Sequence, residues 1–373
     1  MQPRKVIIVS NDDWSIYNFR MPLVRALSQK GFDVVLVFPS GKYTERIKAS
    51  GYRVVSWDLD RGSLNPFKEL KAIFQLLAIY KREKPFIAHH FSIKSNIYGL
   101  LCNRVLKVPH LIITWTGLGF VFSKSFNAKI LRFLLVPFMG GVLSSRKEWN
   151  IFLNPDDRSL FFRLNLASPE RSVVILGEGV DTQKFSPGRD KETPPVVLMA
   201  SRLLWDKGVA DLVDAARILH SEGIPAKFWI AGEQDRENPS CIPDKVIDEW
   251  RRNDMVKLLG HVDDMASLLK KTSIAVLPSY MEGVSRFLLE AASTGLPIVA
   301  TDIAGCRVVV KDGSNGFLVP VKQPRVLAMR LREIIQNREM YEKMSKASRE
   351  IVLSHFSERM IVGEFTKFYE RFC

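Results

Sequence analysis

The chain has 373 residues, of which 46% are hydrophobic and 25% charged, enough for two domains of ordinary size with a core in each. Its net charge of +14 is one-sided: residues 1–185 carry 27 Lys and Arg against 14 Asp and Glu, and the remainder is close to neutral. That asymmetry favours an anionic partner, whereas four scattered cysteines without a CxxC pair read as reduced thiols and exclude a disulfide frame or a zinc site.

Short apolar runs alternate with helical patterns. The first run, 6–10, is strand-length and is followed at once by Asn11, Asp12 and Asp13, so it does not read as a secretory signal. A helix is expected at 22–30. Strand 34–38 precedes helix 43–50, strand 53–57 precedes helix 66–82, and strand 86–89 precedes helix 97–106. Strand 111–115 leads into another helical stretch. Alternation of this kind predicts a parallel sheet covered on both faces. The pattern restarts with strands at 196–200, 227–231, 256–259, 274–277 and 298–301. Between the two series, residues 177–195 are rich in Gly, Pro and charge, as a linker is. The expected fold class is therefore α/β, with two Rossmann-like domains at 1–180 and 181–355 facing across a cleft. A helix over 356–373 is expected to pack back on the first domain. No run reaches the ~20 apolar residues that span a bilayer.

Two turns carry the chemistry. After strand 196–200 come Arg202, Lys207 and Gly208, then a helix. Cations at a helix N-terminus oppose its dipole, so an anion bound by both accounts for them better than local stability does. After strand 274–277 comes EGVSRFLLEAASTG (282–295). Glu282 stands at a turn beside Gly283. Glu290, among Leu288, Leu289, Ala291 and Ala292, reads as a buried carboxylate that needs hydrogen-bond donors, which ribose hydroxyls would supply. Cations at one corner and sugar acceptors at the next suggest a nucleotide-diphosphate-sugar site.

Arg202 and Lys207 together with EGVSRFLLE resemble the retaining glycosyltransferases of family four, which have the GT-B fold. The segments GEGVDTQKF (177–185), LLGHVDD (258–264) and TGLPIVATDIAGCRVVVKDGSNGFLV (294–319) extend the resemblance along the chain. It implies that Arg202 and Lys207 hold the donor diphosphate, that Glu282 faces the transferred sugar and that Glu290 binds ribose. Gly283, Val284, Ser285 and Arg286 then line the donor, and His261 and Val262 lie beside its base. Arg286 is a cation added to the usual family motif. NFRMPLVRAL (18–27), HHFSIKSNIYG (89–99) and TGLGFVF (116–122) resemble the bacterial branch that extends sugars on undecaprenyl diphosphate. On that acceptor side the candidates are Gly117, Gly119, Arg20 and Lys94. His90 joins them because Phe91 stands where the family's sugar-facing histidine is expected; the other reading of His90 is a core histidine.

The expected activity is transfer of a hexose or N-acetylhexosamine, with a UDP-linked donor favoured and a polyprenyl-diphosphate-linked saccharide as acceptor. No cofactor and no metal are expected: Asp12–Asp13 and Asp263–Asp264 are adjacent pairs that read as loop or capping residues. Residues 122–147 mix large apolar side chains with five cations and read as a segment lying on an anionic inner membrane surface, which would make the protein cytoplasmic and peripheral. Its basic residues are dispersed and match no nucleic-acid motif. The alternatives are a nucleotide-sugar epimerase on the same fold and a silent sugar-nucleotide-binding partner protein.

Overall fold

The structure, a computed structural model, describes residues 4–60, 62–63, 65–117, 136, 139–141, 147–188 and 191–373. The chain divides into two compact units, residues 1–177 with 359–373, and residues 178–358.

In the first unit the strands are β1 (Lys5–Val9), β2 (Asp33–Phe38), β3 (Arg53–Ser56), β4 (Ile87–Phe91), β5 (His110–Trp115), β6 (Trp149–Phe152) and β7 (Ser172–Val174). They form one parallel sheet in the order β3-β2-β1-β4-β5-β6-β7. Successive side chains of a strand point to opposite faces. Ile7 and Val9 therefore join one core with Val35 and Val37, whereas Val6 and Ile8 join the other with Val34 and Leu36. Burial on both faces is why β1 reads as an unbroken apolar run. The helix Glu358–Tyr369 supplies Ile361, Phe365, Phe368 and Tyr369 to the second of these cores.

The second unit repeats the topology. Its strands are β8 (Val196–Ala200), β9 (Lys227–Ala231), β10 (Lys257–Gly260), β11 (Ile274–Leu277), β12 (Ile298–Thr301) and β13 (Gly316–Val319). They too are parallel, in the order β10-β9-β8-β11-β12-β13. Each sheet thus starts in its middle, grows outward one way, then crosses over and grows the other way. The reversal lies between β1 and β4 in one unit and between β8 and β11 in the other.

Four strands depart from the sequence pattern. β6, β7 and β13 lie outside it: β7 is three residues long, and β13 opens on Gly316. A Cβ at Gly316 would stand 1.8 Å from the Ile298 carbonyl oxygen, so close strand approach selects the glycine against its low strand propensity. β4 runs on through His90 and Phe91, and the next helix, Ile93–Leu106, starts earlier than its pattern indicates. Two adjacent histidines look like a strand end; both are in fact fully buried.

Candidate active site

At the reversal of the second sheet, the loops leaving β8 and β11 meet. The β8 loop is fixed first. Ser201 N–H donates to the Ala231 carbonyl at 3.0 Å and Leu203 N–H to that of Glu233 at 2.9 Å. A Cβ at Gly232 would lie 1.9 Å from the Ser201 carbonyl oxygen, so glycine alone permits this approach. The contact brings Arg202 to Asp235, and the two form an ion pair. A single 3₁₀ turn, Trp205–Lys207, follows. Gly208 then takes φ of +71° and opens the helix Val209–Ser221.

The β11 loop is tied to that turn. Tyr280 N–H donates to the Asp206 carbonyl at 2.8 Å, and the Ser279 hydroxyl to the same oxygen at 3.2 Å. The result is a contact between Lys207 Nζ and Glu282 Oε1 at 2.6 Å, with only 18% and 15% of the two side chains exposed. Behind it, a Cβ on Gly305 would fall 1.5 Å from the Gly283 carbonyl oxygen, so that position has no room for a side chain. The Cys306 thiol is pushed up by burial and then by the nearby Glu282 charge, which keeps it protonated.

Ser285 caps the helix Arg286–Ser293, its hydroxyl accepting from Leu288 N–H at 3.4 Å. One turn on, Arg286 Nε meets Glu290 Oε1 at 2.7 Å. Glu290 is buried, as its neighbours indicate. Burial raises its pKa, and the Arg286 guanidinium opposes that shift. A buried carboxylate beside a guanidinium keeps lone pairs for further donors.

The structure therefore gathers Arg202, Lys207, Glu282, Gly283, Val284, Ser285, Arg286 and Glu290 around one reversal point. His261 and Val262 lie on the same edge of the sheet, just past β10, where His261 Nε2 stands 3.2 Å from Asp263. Sequence reasoning did not find Asp235 or Gly305. Asp235 is 33 residues from Arg202, and only the adjacency of β8 and β9 relates them. Asp12 and Asp264 are N-caps, and Asp13 is buried, accepting from Tyr43 N–H at 2.7 Å and the Thr44 hydroxyl at 3.0 Å.

The first-unit candidates fare differently. Gly117 follows β5 with φ of 154°. Arg20 is buried, its guanidinium 4.0 Å from the Phe91 ring centre. Lys94 donates to the Asp60 and Ser63 carbonyls and to the Glu69 carboxylate, at 2.7, 2.8 and 2.9 Å, which accounts for its three N–H groups. Of its two readings, His90 takes that of a core histidine, with Nε2 on the Tyr80 hydroxyl at 2.5 Å and Nδ1 on the Ser95 hydroxyl at 2.9 Å. Burial depresses its pKa to about 3, so it stays neutral and has no face for an acceptor. Gly119 lies outside the described residues, as does the 122–147 segment apart from 136, 139–141 and 147.

Two parallel sheets with this reversal, one carrying a cation–carboxylate site at it, are the GT-B class of glycosyltransferase fold. Residues 171–351 match the family model of group 1 glycosyl transferases and residues 5–139 that of glycosyl transferase 4-like proteins. The chain belongs to this glycosyltransferase family. It is 29% identical, over 98% of both chains, to the N,N'-diacetylbacillosaminyl-diphospho-undecaprenol alpha-1,3-N-acetylgalactosaminyltransferase of Campylobacter jejuni. It is 27% identical to the UDP-Gal:alpha-D-GlcNAc-diphosphoundecaprenol alpha-1,3-galactosyltransferase of Escherichia coli, over 79% of this chain and 77% of that one. Among solved structures, Anabaena Alr3699/HepE in complex with UDP matches with a TM-score of 0.77 at 15% identity, over 98% of this chain and 100% of that one.

Proposed function

We propose that this protein is a retaining, metal-independent glycosyltransferase that moves a hexose or N-acetylhexosamine from a UDP-linked donor to a saccharide on undecaprenyl diphosphate, in the assembly of a bacterial surface polysaccharide or glycan. The observation that carries the reading is the largely buried Lys207–Glu282 contact, which we read as a cation for the donor phosphate beside a carboxylate for the sugar. The Campylobacter and Escherichia relatives, named for diphospho-undecaprenol substrates, support the acceptor class, and the second of them supports UDP.

In this reading Arg202 grips the donor diphosphate as a planar fork and Lys207 as a point charge, with N–H groups of the Val209–Ser221 helix beside them. Glu290 accepts the ribose hydroxyls, and His261 and Val262 border the base. Glu282 orients the sugar and Lys207 together. The anomeric carbon–phosphate oxygen bond breaks as the acceptor hydroxyl attacks from the same face. The hydroxyl proton passes to the departing phosphate, whose charge Arg202 and Lys207 stabilise. Configuration is retained and no protein nucleophile forms a bond. Gly117 is the first-unit residue kept on the acceptor side. Among the described residues no helix is long and apolar enough to cross a membrane. A lipid-linked acceptor and a basic first unit therefore argue for work at an anionic membrane surface, on the cytoplasmic face.

A thermal-shift series with UDP, GDP and ADP tests the donor site. A ligand at ~100 times its dissociation constant stabilises by about 2.7 kcal/mol. Stabilisation by UDP and UDP-sugars, lost in Lys207→Ala, is the expected result. Equal stabilisation of the variant would remove Lys207 from the site.

A further inference from the structure

The helix Pro66–Glu83 has two apolar faces. Ala72, Leu76, Ile79 and Tyr80 point inward and join a core of the first unit. Phe67, Leu70 and Phe74 point outward, 82%, 51% and 66% exposed. Their spacing of three and four residues puts them on one stripe. A single exposed apolar residue is ordinary, but three on one stripe, two of them phenylalanine, call for a partner.

The charges on the helix are sorted as well. Its exposed charged residues are Lys68, Lys71, Lys81 and Arg82. Its two carboxylates are turned in: Glu69 is paired with Lys94 at 2.9 Å, and Glu83, only 3% exposed, is held by Lys5 at 3.2 Å, Arg53 at 2.7 Å and Arg82 at 2.9 Å. Asp58 and Asp60, in the preceding loop, reach Lys71 and Lys68 at 3.4 and 3.1 Å in exposed pairs, which contribute little. Lys81 continues the basic edge beyond the reach of these aspartates, whereas Arg82 is paired with Glu83 at 2.9 Å. Phenylalanines flanked by lysines on one helix face match the pattern of a helix that lies in a bilayer interface. A second copy of the chain fits less well, because pairing this face with itself would set like charges together.

We infer that the outward face of Pro66–Glu83 is the surface by which the enzyme docks on anionic lipid, with Phe67, Leu70 and Phe74 entering the acyl boundary and Lys71 and Lys81 meeting the headgroups. The inference deepens the membrane reading proposed above and rests on it for the class of partner. The helix begins where the chain has left the carboxyl end of β3, the edge of an α/β sheet at which ligands bind, so docking here presents that edge to a lipid-borne acceptor.

The test is flotation of the full chain with phosphatidylcholine vesicles with and without phosphatidylglycerol. Phe67→Ser/Phe74→Ser and Lys71→Glu/Lys81→Glu are run beside wild type, with melting temperature and UDP stabilisation as controls for folding and for the donor site. The inference predicts phosphatidylglycerol-dependent binding that falls by about tenfold or more in each double variant while both controls hold. If wild type ignores the anionic vesicles, the membrane reading fails and the docking surface with it. If wild type binds and the variants bind equally, the membrane reading stands and this surface is wrong. A wild-type dimer in sedimentation that Phe67→Ser/Phe74→Ser abolishes, without loss of vesicle binding, would overturn the inference in favour of a self-association face.

Discussion

The two units share a strand order and use it in opposite ways. In the second, the loops at the reversal hold charged side chains near the surface, arranged in pairs: Arg202 with Asp235, Lys207 with Glu282. In the first, the matching region turns its polar groups into the core. Arg20 lies against Phe91, His90 bridges Tyr80 and Ser95, and His89 bridges Tyr369 and Thr114 at 2.6 and 2.7 Å. The same topology thus yields one reversal lined by paired charges and one whose polar groups are satisfied inside the core.

The largest effects should separate the edges by what they damage. Lys207→Ala should lower kcat/KM by about 10²–10³ with little change in melting temperature, since one donor to the leaving group is lost. Arg20→Ala should do the reverse, costing stability through lost packing while leaving UDP binding intact. Steady-state kinetics and thermal melts on both variants check the pair. Equal losses of stability would break the comparison.

Glycine substitutions come next. Gly305→Ala drives a Cβ against the Gly283 carbonyl, whereas Gly99→Ala drives one to 2.5 Å from His90 Nε2. Each should cost about 1–3 kcal/mol by overpacking. Only Gly305→Ala should weaken UDP-sugar binding as well, because it displaces the backbone that carries Glu282. Denaturant melts and donor titrations measure both parts.

Acid should act on the first unit before the second. His90, with a folded pKa of about 3, and His89, also held well below 6.5 by burial, are neutral in the fold. Their contribution is complete above pH 6.5 and is lost as pH falls towards the folded values, because the unfolded chain takes up the protons. Asp157, raised to about 6 by burial, works the other way, against three histidines, since burial also lowers the pKa of His110. In the second unit Glu290, with a raised pKa, favours the fold at low rather than high pH. Hydrogen exchange followed from pH 6.5 downward should lose protection first in first-unit peptides. The smallest effect belongs to Lys94→Ala, which should cost about 1 kcal/mol by releasing Asp60, Ser63 and Glu69 and change turnover only a few-fold.

How much of this was legible in the sequence follows the same divide. The second-unit strands and the residues at their reversal could be read directly, because the candidate side chains sit in the loop after a strand or in the first turns of the helix that follows it. Partnerships across the sheet could not: Arg202 with Asp235 and Gly305 with Gly283 depend on which strands are neighbours. In the first unit, Lys94 and His90 resembled site residues because charge and imidazole mark both sites and satisfied cores. Only their partners, the Asp60 and Ser63 carbonyls for one and Tyr80 and Ser95 for the other, separate the two cases. No repeat is visible between the halves although their strand orders agree, since a parallel sheet requires apolar alternation rather than particular residues.

The most direct test of the central claim is a transfer assay. The full chain is incubated with UDP-hexoses and UDP-N-acetylhexosamines and a short polyprenyl-diphosphate-linked saccharide, with Lys207→Ala and Glu282→Gln alongside, and the anomeric configuration of the product is read by NMR. The account predicts an elongated lipid-linked product that keeps the donor's anomeric configuration, made by wild type and all but lost in Lys207→Ala. Elongation with inverted configuration, or undiminished elongation by Lys207→Ala, would contradict it.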